Sequence, residues 1–279
     1  MSTGTVAPFA LPEGVTVGTS DVTAVADVRD DLVTLVREYG TLYEWAERQP
    51  QPRALRGRAP VYVAPLPSSG VQVVVRHAWH GGLLAPLTGD RFRRPTRAPI
   101  EMQQSAALRA AGIPTTDVVG FARYAAGAGL ARVDVVTRYV EHTADLGMVL
   151  AGLSAEMDCE PALTATQHLL LQLARHGVVH PDLNVKNILL RACTDQDSMP
   201  SPMPFCAMTN SSTPARLEAL VIDVDVIDWV PVRAARETME RNVSRLVRSL
   251  QKWRTQFGCD LADQRIAHFR DTTLALVER

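Results

Sequence analysis

The sequence has little net charge and few cysteines. Its 279 residues include 29 Lys and Arg and 30 Asp and Glu, so the net charge is −1 and gives no reason to expect nucleic acid as a partner. The cysteines form no CxxC pair, no metal-type spacing with histidine and no disulfide framework. We therefore expect a reducing compartment, with the cytosol as the default. The four cysteines are Cys159, Cys193, Cys206 and Cys259.

Long apolar runs are also missing. No window approaches 18 uninterrupted apolar residues, and the N-terminus lacks a basic segment followed by an apolar one. The sequence therefore predicts neither a signal peptide nor a membrane span, and any membrane association would be peripheral. With 46% hydrophobic residues, the chain can bury a large core in one two-lobed domain or two tightly associated domains.

Two stretches place polar side chains at the ends of apolar segments. In VVHPDLNVKNILL, residues 178–190, Asp182 and Asn187 precede the pattern of a buried strand, and in ALVIDVDVIDW, residues 219–229, Asp223 follows a second one. Phosphoryl transfer from a nucleotide needs a carboxylate that orients the acceptor hydroxyl, and an amide and a second carboxylate that hold metal. The Asp-x4-Asn spacing matches the kinase catalytic loop. Asp182, Asn187 and Asp223 supply these groups in chain order.

Each of these residues also has a simpler interpretation. Asp and Asn are common turn residues, because their side chains bond neighbouring backbone amides. The combination of H-x-D-L-x-x-x-N-I-L-L with the later V-I-D favours the kinase-like interpretation over three unrelated turns. Lys186, next to Asn187, could add positive charge near a transferred phosphoryl group, or could be a surface lysine in a loop.

Three residues nearer the N-terminus fit a nucleotide site less specifically. Gly57 stands where a phosphate-covering loop would be, although a turn glycine explains it equally well. Arg76 ends a predicted strand where a protein kinase has its phosphate-binding lysine, and a solvated strand-end arginine is the alternative. Glu101, in the first turn of a predicted helix, could pair with Arg76 or simply favour the helix N-terminus.

The remaining pattern predicts a mixed order of helices and strands. Period-four apolar residues indicate helices, short alternating runs indicate strands, and Gly177 is typical of a helix C-cap. The predicted elements are a loose arm over 1–20, a helix from Asp21 to Arg48 with Gly40 as a candidate break, a hairpin of 61–63 with 71–75, a helix over 99–111, strands over 118–124 and 131–137, a hinge at 138–141, helices over 144–151 and 161–176, and a helix from 232 to 257.

Two segments are unusual in composition. Residues 191–216 are rich in Pro, Ser and Thr and interrupt two strands that should be adjacent, which favours a disordered insertion. The stretch from Arg91 to Arg97 is the most basic in the chain. The helix that begins near Val232 also carries many arginines, which we interpret as a solvated basic face or, less often, a membrane-surface helix.

Taken together, the motifs resemble the lipopolysaccharide kinase family, in particular 3-deoxy-D-manno-octulosonic acid (Kdo) kinases. The resemblance covers roughly residues 53–256 and rests on VVVRHAWHGGLLAPLTGDRF, RAPIEMQQSAALRAAGIPTTDVVG, VDVVTRYVEHTADL, HGVVHPDLNVKNILL, LVIDVD and RNVSRLVRSLQKWR, in that order. It implies an α+β, protein-kinase-like two-lobed fold, with a small antiparallel sheet lobe and a larger helical lobe. The implied domains are an N-terminal arm and helix (1–52), the sheet lobe (53–140) and the helical lobe (141–279) with its insertion at 191–216.

The resemblance also implies a chemistry and a location. ATP with Mg²⁺ would phosphorylate a hydroxyl of the Kdo on a lipid A precursor, a lipid-linked acceptor, at the cytoplasmic face of the inner membrane, whose anionic surface the protein would contact. Asp182 would be the catalytic base, with Lys186 beside it. Asn187 and Asp223 would hold metal. Gly57, Arg76 and Glu101 would belong to the nucleotide site.

The sequence departs from protein kinases after Asp223, where Val224 and Asp225 replace the usual Phe-Gly, and no A-P-E segment follows. A phosphorylated activation loop is therefore not expected. Two rival functions stay open: a kinase of another acceptor, such as a protein or small molecule, and a weak or inactive nucleotide-binding protein. Arg76 in the lysine position and the lone Gly57 would suit the second rival.

Overall fold

The computed structural model describes residues 9–50, 53–55, 60–79, 89–154, 156–193, 216–257 and 261–278. The chain divides into two compact units, which we call the sheet unit and the helical unit. The sheet unit consists of Val6–Ala110 and Thr116–Tyr139, and the helical unit contains Ala111–Thr115 and Val140–Arg279. The α+β class predicted from the sequence is confirmed.

An antiparallel sheet with the strand order β1-β2-β7-β8-β5-β4-β3 forms the centre of the sheet unit, and β6 pairs with β8. Its central strands are rich in β-branched residues, which pack well on a pleated surface. Val75 of β5 faces Val136 of β8, and both side chains are buried. The strands are β1 (Val15–Val17), β2 (Ser20–Ala24), β3 (Arg53–Leu55), β4 (Val61–Pro65), β5 (Gln72–His77), β6 (Phe92–Arg93), β7 (Val118–Ala125) and β8 (Leu130–Arg138).

The described residues of the sheet unit also form three helices: α1 (Ala26–Tyr39), α2 (Leu42–Glu47) and α3 (Ala98–Ala110). The predicted hairpin of β4 and β5, the strands β7 and β8 and the helix α3 are all confirmed. The predicted break at Gly40 is confirmed as well. Gly40 has a φ of 83°, a conformation that favours glycine, and Thr41 then caps the next helix by accepting a hydrogen bond from the Glu44 N–H at 3.0 Å.

The helix predicted to begin at Asp21 was wrong at its start, and the loose arm predicted for residues 1–20 was wrong over β1. Residues Ser20–Ala24 form β2, which pairs with β7, and α1 begins at Ala26. Val22 and Ala24 are fully buried against this sheet. Pairing with the distant strand β7 outweighed the local period-four pattern. A single sequence does not reveal such a pairing.

The helical unit contains four helices and two small antiparallel sheets among its described residues. One sheet has the order β12-β11-β9 and the other pairs β10 with β13. The elements are β9 (Thr143–Asp145), α4 (Leu146–Leu150), α5 (Cys159–Arg175), β10 (Val178–Val179), β11 (Ile188–Ala192), β12 (Leu217–Val221), β13 (Asp228–Trp229), α6 (Ala235–Phe257) and α7 (Asp263–Ala275).

Gly177 directly follows His176, the C-cap residue of α5, and so stands where this helix ends, as predicted. Its φ is 67°, and a Cβ at this position would lie 2.0 Å from the carbonyl oxygen of Val230. The Val230 N–H in turn donates to the Gly177 carbonyl at 2.7 Å. No side chain fits here, because the backbone that leads to α6 passes directly against the glycine that leads to β10.

The insertion predicted over residues 191–216 starts later than expected. Arg191 and Ala192 belong to β11 and pair with Glu218 and Leu217 of β12. The Cys193 N–H donates to the Arg216 carbonyl at 2.8 Å, so the hairpin continues to that pair. Residues 194–215 lie outside the described part of the chain, as do Gly57 and the stretch 80–88.

Helix α6 is amphipathic, as predicted. Its buried side chains recur at three or four residues, so they form one apolar stripe against the rest of the unit. Asn242 lies within this stripe and is fully buried. The apolar members are Met239, Val243, Leu246, Leu250 and Trp253.

Candidate active site

The candidate site is a loop of the helical unit that connects β10 to β11 and contains Asp182 and Asn187. Asn184 closes this loop on itself: its Nδ2 donates to the Asp182 carbonyl at 2.9 Å, and its Oδ1 accepts from the Lys186 N–H at 2.9 Å. The Asn187 N–H donates to the Asn184 carbonyl at 3.0 Å. Asp and Asn do form turn bonds here, as the simpler interpretation expected, and Asn184 makes most of them.

Asn187 links the loop to the strand that leads to Asp223. Its side chain is buried, and Nδ2 donates to the Asp182 carbonyl at 3.0 Å. Its own carbonyl accepts from the Ile222 N–H at 3.0 Å. Oδ1 of Asn187 accepts no hydrogen bond from the residues described, so this oxygen is available to a ligand.

Asp223 directly follows this hydrogen bond to Asn187. It adopts a left-handed backbone conformation, with φ 58° and ψ 49°, and is exposed. Such a conformation is uncommon for residues other than glycine, although Asp is enriched in it. The structure therefore brings the backbones of the two predicted metal-holding residues together and turns the chain sharply at the carboxylate.

His180 connects the segment that contains Asp182 to the segment that contains Asp223. It is fully buried, and its ring atom Nε2 lies 3.2 Å from the Ile222 carbonyl. Its backbone N–H donates to Oδ1 of Asn242 at 3.0 Å. Burial lowers the pKa of His180, and this outweighs the opposing effects of the Ile222 carbonyl and of the Asp223 and Asp182 charges. A neutral imidazole with the proton on Nε2 satisfies the hydrogen bond to Ile222.

The Asp182 carboxylate is exposed, with 64% of its side chain accessible. It accepts a hydrogen bond from Nη2 of Arg245 at 3.0 Å. Arg245 is one of the α6 arginines predicted to form a solvated basic face; its side chain is 41% exposed, and its contact with Asp182 was not predicted. No local pattern signals this contact, because the two residues are 63 positions apart.

Two further α6 residues fix the loop and were missed. Asn242 donates through Nδ2 to the Val178 carbonyl at 2.9 Å, in addition to accepting from His180. The hydroxyl of Ser249 accepts from the Val185 N–H at 3.1 Å. The signal that could have found Asn242 is a polar residue in the middle of the apolar stripe, since a buried amide needs partners.

Lys186 lies on the ring of Trp253, with Nζ 5.3 Å from the ring centroid, and is exposed. Trp253 donates from Nε1 to the Gly147 carbonyl at 2.9 Å. Burial raises the pKa of Asp145, and the nearby positive charge of Lys186 opposes this rise. Lys186 thus contacts an aromatic ring and acts electrostatically on the half-buried Asp145 carboxylate, and its catalytic role stays a prediction.

In the sheet unit, the predicted pair between Arg76 and Glu101 is present. Nη2 of Arg76 lies 2.6 Å and 2.7 Å from the two carboxylate oxygens of Glu101, whose side chain is only 11% exposed. This contact fixes the end of β5 to the first turn of α3. Gly57, the third residue predicted for the nucleotide site, lies outside the described residues.

The described residues contain no group of three or more His, Cys, Asp or Glu side chains that could hold a metal ion. Asn187 and Asp223 offer two oxygen ligands instead. Mg²⁺ is commonly held in this way, by one or two protein oxygens together with substrate phosphates and water. The donor set therefore fits Mg²⁺ that arrives with a nucleotide.

A cavity of about 620 Å³ lies beside the loop, entirely within the helical unit. Its walls come from the residues Val179, His180 and Pro181, from Asp228 of β13 and from one face of α6. His180 and Arg245 belong both to this wall and to the contacts that hold the Asp182 segment. The α6 face consists of Glu237, Glu240, Arg241, Ser244, Arg245 and Arg248.

An exposed Asp in an Asp-x4-Asn loop, followed by a second Asp at the end of the paired strand, is the arrangement of residues found in kinase-type phosphotransferases. The chain belongs to the lipopolysaccharide kinase (Kdo/WaaP) family, whose model matches residues 50–200. This match includes Arg76, Glu101 and Asp182 and ends before Asp223 and α6.

Curated relatives support the same family. The chain is 29% identical over 132 residues to the 3-deoxy-D-manno-octulosonic acid kinase of Actinobacillus succinogenes, covering 46% of this chain and 54% of that protein. It is 30% identical over 131 residues to the kinase of the same name from Pasteurella multocida, covering 45% and 53%. The chain thus spans about half the length of the curated relatives it matches.

The chain is similar to a solved structure described as WaaP in complex with acyl carrier protein. The match covers 88% of this chain and 97% of the chain in that structure. The sequence identity is 16% and the TM-score is 0.41. At this level the likeness carries no argument about activity or partners.

Proposed function

We propose that the chain transfers the γ-phosphoryl group of ATP to a hydroxyl of Kdo on a lipid A precursor. Family membership and the names of the curated relatives support this proposal. The observation that carries it is the loop geometry: the buried Asn187 side chain holds the Asp182 backbone at 3.0 Å, while the Asp182 carboxylate stays 64% exposed. A base must be fixed in position and yet reach the acceptor.

Asp182 orients the acceptor hydroxyl and takes its proton during transfer. Its backbone is held by Asn184 and Asn187, and its carboxylate by Arg245. The pair with Arg245 is exposed on both sides, and such pairs contribute only about 0.2–1 kcal/mol, so the carboxylate can exchange this contact for the acceptor hydroxyl.

Asn187 and Asp223 would hold Mg²⁺ through their side-chain oxygens. When bound, the metal ion neutralises charge on the nucleotide phosphates. His180 keeps Asp223 in place because it contacts the carbonyl of the preceding residue, Ile222, at 3.2 Å. In the sheet unit, Arg76 supplies a permanent positive charge for phosphate, and Glu101 fixes its direction.

The acceptor is lipid-linked, so the protein must reach a membrane surface. No helix in the described ranges is long and apolar enough to cross a bilayer. We place the protein at the cytoplasmic face of the inner membrane, held by contact between basic side chains and anionic lipid. The exposed arginines 91, 93 and 94 are the candidate contact.

ATP turnover with and without a Kdo-bearing lipid A precursor tests the proposal. We expect turnover that depends on this acceptor and on Mg²⁺. Turnover only with a protein or small-molecule acceptor would assign a different kinase activity. Nucleotide binding without turnover on any acceptor would assign an inactive nucleotide-binding protein.

A further inference from the structure

The cavity beside the catalytic loop has a composition that fits a charged sugar. Arg241, Arg245 and Arg248 recur at four and three residues along α6, so their side chains share one face of the helix. Glu237 and Glu240 lie on the same wall, and Asp228 lies across from them on β13. A wall of arginines and carboxylates offers both donors and acceptors to a ligand that carries hydroxyl groups and an anionic group.

Most of these charges already have partners within the helical unit. Glu237 lies 3.7 Å from Arg241, Glu240 lies 3.1 Å from Arg236, and Arg245 contacts Asp182. Arg248 is exposed and has no carboxylate within ion-pair distance among the described residues. The cavity therefore contains one cation whose charge is not neutralised by a neighbour.

Arg248 is also close to the reacting group through its neighbour on the helix. Arg245, one turn earlier on α6, lines the cavity and contacts Oδ1 of Asp182 at 3.0 Å. An anion bound by Arg248 would therefore lie one helical turn from the side chain that holds the proposed base. Guanidinium groups bind carboxylates through two parallel hydrogen bonds, which fixes orientation as well as position.

We propose that this cavity binds the acceptor sugar and that Arg248 binds its carboxylate, assisted by Arg245. The inference rests on the proposed function, and it names the residues that would recognise the acid group of the acceptor. Glu237, Glu240 and Asp228 accept hydrogen bonds from the sugar hydroxyls. When the carboxylate engages Arg245, that guanidinium releases Asp182 to the acceptor hydroxyl.

Equilibrium binding of free Kdo and of its uncharged methyl ester to the full chain tests this proposal. We expect the wild type to bind the acid at least about tenfold more tightly than the ester, because charged hydrogen bonds to the carboxylate are lost in the ester. Arg248→Gln should bind the acid no more tightly than the ester, and Arg248→Lys should keep part of the preference. Arg233→Gln, an exposed arginine outside the cavity, is the matched control and should behave like the wild type.

Equal binding of acid and ester by the wild type, or a preference that survives in Arg248→Gln, would overturn the assignment. Arg248 is exposed, so its substitution should leave the thermal unfolding midpoint unchanged, which excludes misfolding as the cause. Binding is measured without turnover. A preference that depends on Arg248 in a protein that transfers no phosphate to Kdo would support the cavity and refute the kinase proposal, and the reverse result would refute the cavity alone.

Discussion

Asn187 and Asp223 differ in exposure, and this difference determines what a substitution of each would disturb. Asn187 is buried and holds the Asp182 carbonyl, so its replacement would change the loop structure as well as the proposed metal binding. Asp223 is exposed, and its carboxylate makes no hydrogen bond or ion pair with a described residue, so its replacement isolates the proposed ligand role. Asp223 is therefore the better position at which to test the metal site.

We expect Asp223→Asn to keep the fold and to weaken Mg²⁺-dependent ATP binding by tenfold or more, because the amide retains the shape and lacks the charge. Titration of ATP at several Mg²⁺ concentrations measures this effect. Asp225→Asn, two residues further on, is the control that changes charge nearby. Unchanged affinity in Asp223→Asn would remove Asp223 from the metal site.

Residues of the candidate site differ in how readily the sequence predicts them. Asp182 and Asn187 lie five residues apart in an apolar frame, and this spacing together with the later V-I-D predicts them as site residues. Arg245 and Asn242 contact the same loop from more than 60 residues away, and no local pattern connects them to it. Long-range contacts of this kind depend on tertiary packing.

At the level of elements, the start of α2 rests on a buried polar cluster in the sheet unit. Asp134 is fully buried and accepts hydrogen bonds from the Tyr43 N–H at 2.9 Å and from the Tyr124 hydroxyl at 2.8 Å. His77 lies between two carboxylates, with Nδ1 2.6 Å from Asp134 and Nε2 3.1 Å from Asp90. The cluster connects β5, β7 and β8 to the helix.

This cluster predicts a pH-dependent stability. Burial lowers the pKa of His77, but its hydrogen bonds to Asp134 and Asp90 and their charges outweigh this, so the pKa lies above the ordinary value. Arg132, 3.3 Å from Asp90, is the other charge at the site. The contribution of His77 to stability is complete below its unfolded pKa of about 6.5 and is lost as the pH rises through the higher folded value.

Urea unfolding of the wild type and of His77→Gln between pH 5.5 and pH 9 measures this contribution. These pH limits span about one unit below to more than two units above the ordinary histidine pKa. We expect the difference in unfolding free energy between the two proteins to be largest at low pH and to shrink as the pH rises. A difference that is constant across the range would show that protonation of His77 does not stabilise the fold.

The β11–β12 hairpin predicts that residues 194–215 can be replaced. The Cys193 N–H and the Arg216 carbonyl are hydrogen-bonded at 2.8 Å, so an Asn-Gly turn can join the two strands directly. Stability should change by no more than about 2 kcal/mol, because loop-closure entropy varies slowly with length. A folded variant that binds ATP and has lost transfer would show that the segment takes part in the site.

Elements with strong local signals were predictable, and those formed by distant pairing were not. Alternating β-branched residues identified β5, β7 and β8, and period-four spacing identified α3 and α6. The strand β2 was mistaken for part of a helix, because Val22 and Ala24 fit both periods and only the partner strand β7 decides between them. The β6 strand was missed because it is two residues long.

The net charge of the chain is only −1, so any electrostatic attraction to an anionic membrane must come from local groups of basic side chains. Arg91, Arg93 and Arg94 are exposed, and Arg94 has an ion pair of 3.6 Å with Asp21. Ile100, three residues beyond this stretch, is a large apolar side chain that is 44% exposed. Basic and apolar groups exposed near each other in the chain are typical of peripheral membrane contact.

Replacing Arg91, Arg93 and Arg94 by Ser should reduce binding to anionic vesicles, since each basic residue near such a surface contributes about 1 kcal/mol. Wild-type binding should fade with added salt, because exposed charges are screened within about 8 Å at physiological ionic strength. ATP affinity should not change. Co-sedimentation that is equal for mutant and wild type at low salt would exclude this stretch, and the α6 arginines would be tested next.

Asp182 is the proposed base for phosphoryl transfer to Kdo. Transfer of labelled γ-phosphate from ATP to a Kdo-bearing lipid A precursor, measured for the wild type and for Asp182→Asn, tests this role directly. We expect label on the Kdo sugar with the wild type, a loss of at least about a hundredfold with Asp182→Asn, and unchanged Mg-ATP affinity. Label transfer by Asp182→Asn at the wild-type rate, or no label on Kdo with the wild type, would contradict the account.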